Sequence, residues 1–304
     1  MYETKLPQPK YELPARQVHL DFHTSGLIKG VGAQFSKEDF QQALREGNVS
    51  SITVFAKCHH GYCYYPTKTG TMHPQLDFDL LGAMLDAAHE VGVKAPIYIT
   101  AGWSALDAER HPEWWSRRPD GNYSPVEGFD PNAAPEQAKP EAAWMNLCLN
   151  DGSYAEHIYA LTREICERYE QVDGLFYDIC FFEESCYCDE CRAGMQAMGF
   201  CPDNEADAKR YFVEKHNCFM EKCRRIVAQT HPNASVFFNG GAEIHKPEYH
   251  ANQTHFELED LPTAWGGYDK LPLRAKYFAK TGKQYLGMTG KFHMAWGEFG
   301  GFKA

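Results

Sequence analysis

Seven short runs rich in β-branched and aromatic residues recur along the chain: 18–26 (VHLDFHTSG), 50–57 (SSITVFAK), 93–103 (VKAPIYITAGW), 174–182 (GLFYDICFF), 235–241 (SVFFNGG), 255–262 (HFELEDLP) and 284–292 (QYLGMTGKF). Between several of them apolar residues fall three and four apart instead, as in KEDFQQALREGN, DFDLLGAMLDAAHEVG and YAEHIYALTREICERYEQV. That spacing marks one face of a helix. Strands alternating with helices predict βαβ units around a parallel sheet. Residues 103–150 break the rhythm, and their density of Pro and Gly predicts an excursion above the sheet, where a substrate wall would stand.

The expected architecture is α/β, a (β/α)8 TIM-barrel-type catalytic domain covering residues 1–304 as one domain. Seven strands are visible, and GEFGGFKA follows the seventh after four residues, so the expectation is a barrel whose eighth strand is lost to truncation. A doubly wound open sheet is the alternative, but no G-x-G-x-x-G follows the first strand. In a barrel the C-terminal strand ends form the functional face. Here those ends carry His19, Asp21 and His23; Lys57, His59 and His60; Trp103; Asp178; Asn239; Glu257 and Glu259; then Lys291 and His293. Strands with a purely structural task end in turn residues, not in this series of His, Trp and carboxylates.

The formal charge of −11 and the lack of any dense Lys/Arg cluster exclude a nucleic-acid binder, which needs a basic face. No segment has the roughly 18 uninterrupted apolar residues of a membrane span. The polar, proline-rich start lacks the apolar stretch of a signal peptide, so a soluble, cytoplasmic protein is expected. Its eleven cysteines are odd in number and irregularly spaced, which fits a reducing compartment better than a disulfide framework.

Carboxylates on separate strands suit glycoside hydrolysis, in which one attacks or stabilises the anomeric carbon and the other protonates the leaving oxygen. Asp178 ends the fourth strand among apolar neighbours. Glu257 and Glu259 alternate with His255 on the sixth, so all three share a face, and either glutamate could be the acid. Sugars stack their C–H faces on aromatic rings while their hydroxyls need donors and acceptors. Tyr62, Tyr64, Tyr65, Trp103, Trp114, Trp115, Trp265 and Trp296 follow these strands, and some of them must be core.

The segment FAKCHHGYCYYPTKTG resembles the α-L-fucosidase signature, in which a strand-end Lys precedes paired histidines, a Gly, an aromatic, a Cys and a Pro-containing loop. LDFHTSG, VDGLFYDI and FELEDLPTAWGGYDK resemble that family's first-strand His, nucleophile strand and Glu-to-Trp segment. Through WMNLCLN, CYCDECRAGM and GMTGKFHMAWGEFGG the chain is most similar to the glycoside hydrolase family 151 group, also called hypothetical glycosyl hydrolase 6. The resemblance implies a retaining, exo-acting α-L-fucosidase with Asp178 as nucleophile, Glu257 as the better-aligned acid/base, and His23, His59 and His60 on the fucose hydroxyls. His19, Lys57, Trp103, Asn239, Trp265, Lys291, His293 and Glu298 complete the substrate-binding candidates. Gly61 stands where the family has an Asp after the histidine pair. A β-galactosidase-like exo-glycosidase and a non-catalytic carbohydrate-binding barrel are the rival readings, and a homo-oligomer is compatible with any of them.

Cys186, Cys188 and Cys191 form C-x-C-x-x-C, a spacing suited to wrapping thiolates around one tetrahedral zinc. Cys148 is the expected fourth ligand, with Cys201 as its competitor. Four thiolates close the coordination shell, so the expected zinc is structural and no catalytic cofactor is called for.

Overall fold

The structure, a computed structural model, describes residues 6–124, 145–180, 185–261 and 267–288. Its strands are β1 (Gln17–His19), β2 (Ser51–Lys57), the two-residue β3 (Tyr62–Cys63) and β4 (Thr71–Met72), β5 (Ile97–Thr100), β6 (Gly174–Asp178), β7 (Ser235–Phe238), β8 (Phe256–Glu259) and β9 (Tyr285–Met288). Each of the seven apolar runs contains or overlaps one of them; β3 and β4 are short additions in the loop after β2. Strands β1, β2, β5, β6 and β7 pair in parallel in that order. Every residue of β2, β5 and β7 is buried, and so is β6 up to Asp178, as a parallel sheet covered on both faces requires.

The helices are α1 (Lys37–Glu46), α2 (Leu80–Glu90), α3 (Ala105–Arg110), α4 (Ser153–Arg168), α5 (Asp189–Ala197), α6 (Glu205–Thr230) and α7 (Gly267–Phe278). Leu81, Met84 and Leu85 of α2, Ile158, Leu161 and Ile165 of α4, and Phe219, Met220 and Cys223 of α6 join the strands in one apolar core. Starts are written locally. Ser36, Asp79, Ser104 and Asn204 each accept a backbone N–H of the first turn that has no partner inside the helix.

The expected closed barrel is not what the described residues form. The parallel run ends at β7, and β8 pairs with β9 as a separate two-stranded sheet. Side chains stand in for a ladder between β7 and β8: Thr254 Oγ1 accepts Val236 N–H at 2.9 Å and Gln253 Oε1 accepts Phe238 N–H at 2.9 Å. At the other side a groove of about 880 Å³ separates β1 from β9, with Val18, Leu286 and Met288 among its lining residues. Among the described residues no helix is long and apolar enough to cross a membrane.

Candidate active site

Because the five sheet strands run in parallel, their C-terminal ends come together, and Asp178 sits at the centre of them. Its Oδ1 accepts Asn239 Nδ2–H at 2.7 Å and the N–H of Ile179 at 2.8 Å. The Tyr98 hydroxyl donates to Oδ2 at 2.5 Å, and His59 Nε2 stands 3.7 Å from the same oxygen. Ile179, directly after Asp178, has φ of 57°, a left-handed conformation that costs a β-branched residue free energy and persists only where its surroundings enforce it. Gly102 makes room for this turn: the Ile179 carbonyl oxygen fills the place where a side chain on Gly102 would begin.

Asn239, just past β7, donates from the same Nδ2 to Glu259 Oε2 at 2.9 Å. One amide thus bridges two carboxyl groups, and bonds of 2.7 and 2.9 Å through one nitrogen limit the separation of those two oxygens to about 5.6 Å. Burial pushes the Glu259 carboxyl up to about 7, with the charges of Asp178 and Asp21 adding to it and the Asn239 hydrogen bond opposing it. Glu257 shares the inward face of β8 with Glu259, as the strand period requires, but two residues of rise, about 6.6 Å, put it one layer lower. There it meets His255 Nε2 at 2.8 Å and borders the β1–β9 groove. The position beside Asp178 belongs to Glu259, not to the glutamate that the resemblance aligned as acid/base.

His23 and His59 stack with ring centroids 3.8 Å apart. His23 Nδ1 accepts the His59 N–H at 3.1 Å, while its Nε2 lies 3.0 Å from Asp21. Thr100 Oγ1 donates to the Trp103 carbonyl at 2.9 Å, so its contact of 2.7 Å with His59 Nδ1 is one in which the imidazole donates. Burial, with the neighbouring His23 and Lys57, holds His59 well below the usual imidazole range. A neutral ring that donates from Nδ1 presents Nε2 as an acceptor, on the Asp178 side. His60 is buried beside it, also lowered by burial. Trp103 packs against His59 in an edge-to-face contact, with centroids 5.1 Å apart, and is held by Nε1–H donation to Asn146 Oδ1 at 2.7 Å.

Two other candidates lie elsewhere. His19 packs against Phe55, Tyr98 and Phe176 in the layer beneath the rim. Lys57 is turned to the opposite face of β2: Phe55 pairs with Tyr98, but the register then slips and Lys57 pairs with Ile99, so the side chain that plain alternation would send inward points away. Its side chain is 1% exposed, and the ammonium lies 2.9 Å from Asp107 Oδ2. Trp265, Lys291, His293 and Glu298 fall outside the described residues, as does Trp296. The sequence reading passed over Tyr98 and Thr100, although both lie on the inward-facing register of β5. Tyr64 and Tyr65 are fully buried core.

Cys148, Cys186, Cys188 and Cys191 converge: their sulfur atoms all lie within 4.8 Å of one another, and all four residues are buried. Sγ–Sγ distances of 3.5 Å (Cys148 to Cys191) and 3.3 Å (Cys188 to Cys191) are too long for disulfides and near the edge of about 3.8 Å of a tetrahedron with 2.3 Å zinc–sulfur bonds. Arg117 and Cys188 direct backbone N–H groups at Cys186 Sγ, and Asn150 directs its amide at Cys191 Sγ. Cys201, the competing ligand, is exposed and outside the cluster.

A family profile described as hypothetical glycosyl hydrolase 6 matches residues 36–179. The chain is 43% identical to α-L-fucosidase isoenzyme 2 from Paenibacillus thiaminolyticus, with a TM-score of 0.83, covering 94% of this chain and 42% of that one. It thus spans less than half the length of that relative. The β-galactosidase of the psychrophilic Marinomonas ef1 shares the fold at 11% identity and a TM-score of 0.53, covering 81% of this chain and 40% of that one. That of Rahnella sp. R3 is 14% identical with a TM-score of 0.50, covering 75% and 37%. No curated protein matches. By its profile and by its identity to the Paenibacillus enzyme, the chain belongs to the fucosidase-like glycosyl hydrolases.

Proposed function

We propose that this chain carries the catalytic site of an exo-acting α-L-fucosidase that works with retention of configuration. The observation that carries the reading is the Asp178–Asn239–Glu259 bridge. A separation of no more than about 5.6 Å between the two bridged oxygens brings the carboxyl groups into the range of a retaining pair, which stands about 5 to 5.5 Å apart. Asp178 attacks the anomeric carbon, and Glu259, whose carboxyl holds its proton up to about pH 7, gives it to the leaving oxygen. The same Glu259 then takes a proton from the water that frees the sugar. His23, His59 and His60 hold ring hydroxyls, with His59 Nε2 as acceptor and Trp103 as a wall. The name of the Paenibacillus relative supports fucose as the sugar.

Two structural readings accompany this one. The seven strands are staves of a (β/α)8 barrel, and the β1–β9 groove is where closure calls for an eighth. The four sulfurs hold one zinc, which needs no open position and so serves to tie 145–148 to the loop after β6.

The deciding experiment is turnover of 4-nitrophenyl α-L-fucoside beside the β-galactoside, with the first-formed anomer read by NMR. Release of α-L-fucose as the first product supports the proposal. Turnover of the β-galactoside alone, first formation of the β-anomer, or neither turnover nor sugar binding overturns it.

A further inference from the structure

The buried ion pair of Lys57 and Asp107 has no place in the chemistry above, yet it joins two segments that carry the site. Lys57 ends β2 two residues before His59. Asp107 lies in α3, directly after the Thr100–Trp103 stretch that holds His59. The α3 entrance is docked on the histidine turn: Ala105 N–H donates to the His59 carbonyl at 3.0 Å and Leu106 N–H to the His60 carbonyl at 3.2 Å. Gly61 completes the turn at φ of 91°, and a Cβ there would meet Ser104 Oγ at 2.6 Å and Leu106 Cβ at 2.8 Å. Ser104 Oγ donates to Asp107 Oδ2 at 2.7 Å, so the residue that caps α3 also aims the carboxylate at Lys57.

Burial works against the charge on Lys57, but Asp107 outweighs it and holds the ammonium above its usual range, while Asp107 itself is held below the carboxylate range. Such a pair adds little stability over an apolar pair of similar volume, because both ions give up their hydration. Its worth lies in tethering: drawing the two apart would leave a charge buried without its partner, so the pair ties the two segments that carry it.

We infer that Lys57 and Asp107 are positioning residues that fix the His59–His60 turn against α3 and thereby set the placement of both imidazoles in the sugar pocket. The sugar-binding part of this rests on the function proposed above; the placement of the turn does not. The device also accounts for the register slip in β2, which is what brings Lys57 round to α3.

The test compares wild type with Lys57→Met/Asp107→Leu, which removes both charges without leaving one buried alone. Amide exchange is followed by mass spectrometry in the free protein, so it needs no substrate. The expected result is exchange at residues 58–62 faster by at least about tenfold, with β6 and β7 unchanged. KM for the α-L-fucoside should rise about tenfold while kcat falls less than threefold. In a His60→Ala background the same double change should raise KM by less than it does in the wild-type background, because the part of its effect that passes through His60 is gone. Unaltered exchange at 58–62, or full additivity with His60→Ala, overturns the inference. Should the double variant not fold, Asp107→Asn, which keeps the shape and the Ser104 contact, is read by the same exchange measurement and the same criterion. A wild type that exchanges as expected against the variant yet turns over no fucoside overturns the function and leaves the positioning role standing.

Discussion

Asp178 and Glu259 are joined by a single donor, the Asn239 Nδ2, at 2.7 Å to one carboxyl and 2.9 Å to the other. The bridge pins two groups with different environments at a fixed spacing. Asp178 accepts three hydrogen bonds, from Asn239, Ile179 and Tyr98. Among the described residues Glu259 has one such donor, and its carboxyl pKa is raised. Environments that differ in this way let two like groups take opposite roles.

The two glutamates of β8 separate the geometry from the alignment. Glu259→Gln should lower kcat for a fucoside with a poor leaving group by about 10² to 10⁴-fold, the usual span for general acid catalysis. Glu257→Gln, one layer down beside His255, should change it less than about threefold. Steady-state kinetics of the two variants check this, and a larger loss for Glu257→Gln would return the acid/base role to that residue.

Glu259 also sets a pH dependence. The group must be protonated to act as acid, so kcat/KM should fall as pH rises through about 7, and Glu259→Gln should lose that alkaline limb. Stability moves in the same direction. Because the folded carboxyl binds its proton more tightly than the unfolded one, the contribution of Glu259 to stability is greatest below the unfolded value and declines as pH rises from about 4.5 to about 7. Thermal melts of Glu259→Gln should show a flatter profile across that window than wild type.

Protein purified without added metal should contain one zinc per chain, with zinc–sulfur distances of about 2.3 Å by X-ray absorption. Chelation or acid should lower the melting temperature first and activity as a consequence, since thiolates must lose protons to bind. Less than about a tenth of an equivalent of zinc by elemental analysis would refute the site.

Gly102 should tolerate no side chain. A methyl group there would meet the Ile179 carbonyl, which is backbone and cannot swing aside. Gly102→Ala should cost at least about 2 kcal/mol in chemical denaturation and shift the peptide plane beside Asp178, lowering kcat as well.

The apolar runs and helical spacings of the sequence were enough to place seven of the strands, all but the two-residue β3 and β4; the signal is plainest for β2, β5, β6 and β7, because a parallel strand covered on both faces must be apolar throughout. They also identified three of the helices and, through paired His and spaced Cys, pointed to the strand-end histidines that gather beside Asp178 and to the four cysteines that converge. The long helix α6 went unread although Ala208, Tyr211, Phe212, Phe219, Met220 and Cys223 recur at helical spacing, since nothing in its chemistry drew notice. Local pattern could not say which inward glutamate meets Asp178: Glu257 and Glu259 have the same parity on one strand, and only the height at which β8 stands against β7 separates them. Nor could it foresee that Lys57 turns outward, because a one-residue slip between β2 and β5 belongs to the pairing of two strands and is written in neither alone. Tyr98 likewise reads as a core aromatic until β5 is laid beside β6 and its hydroxyl reaches the carboxylate. Residue type and period are properties of one segment, while the distances that make chemistry arise from the register between segments.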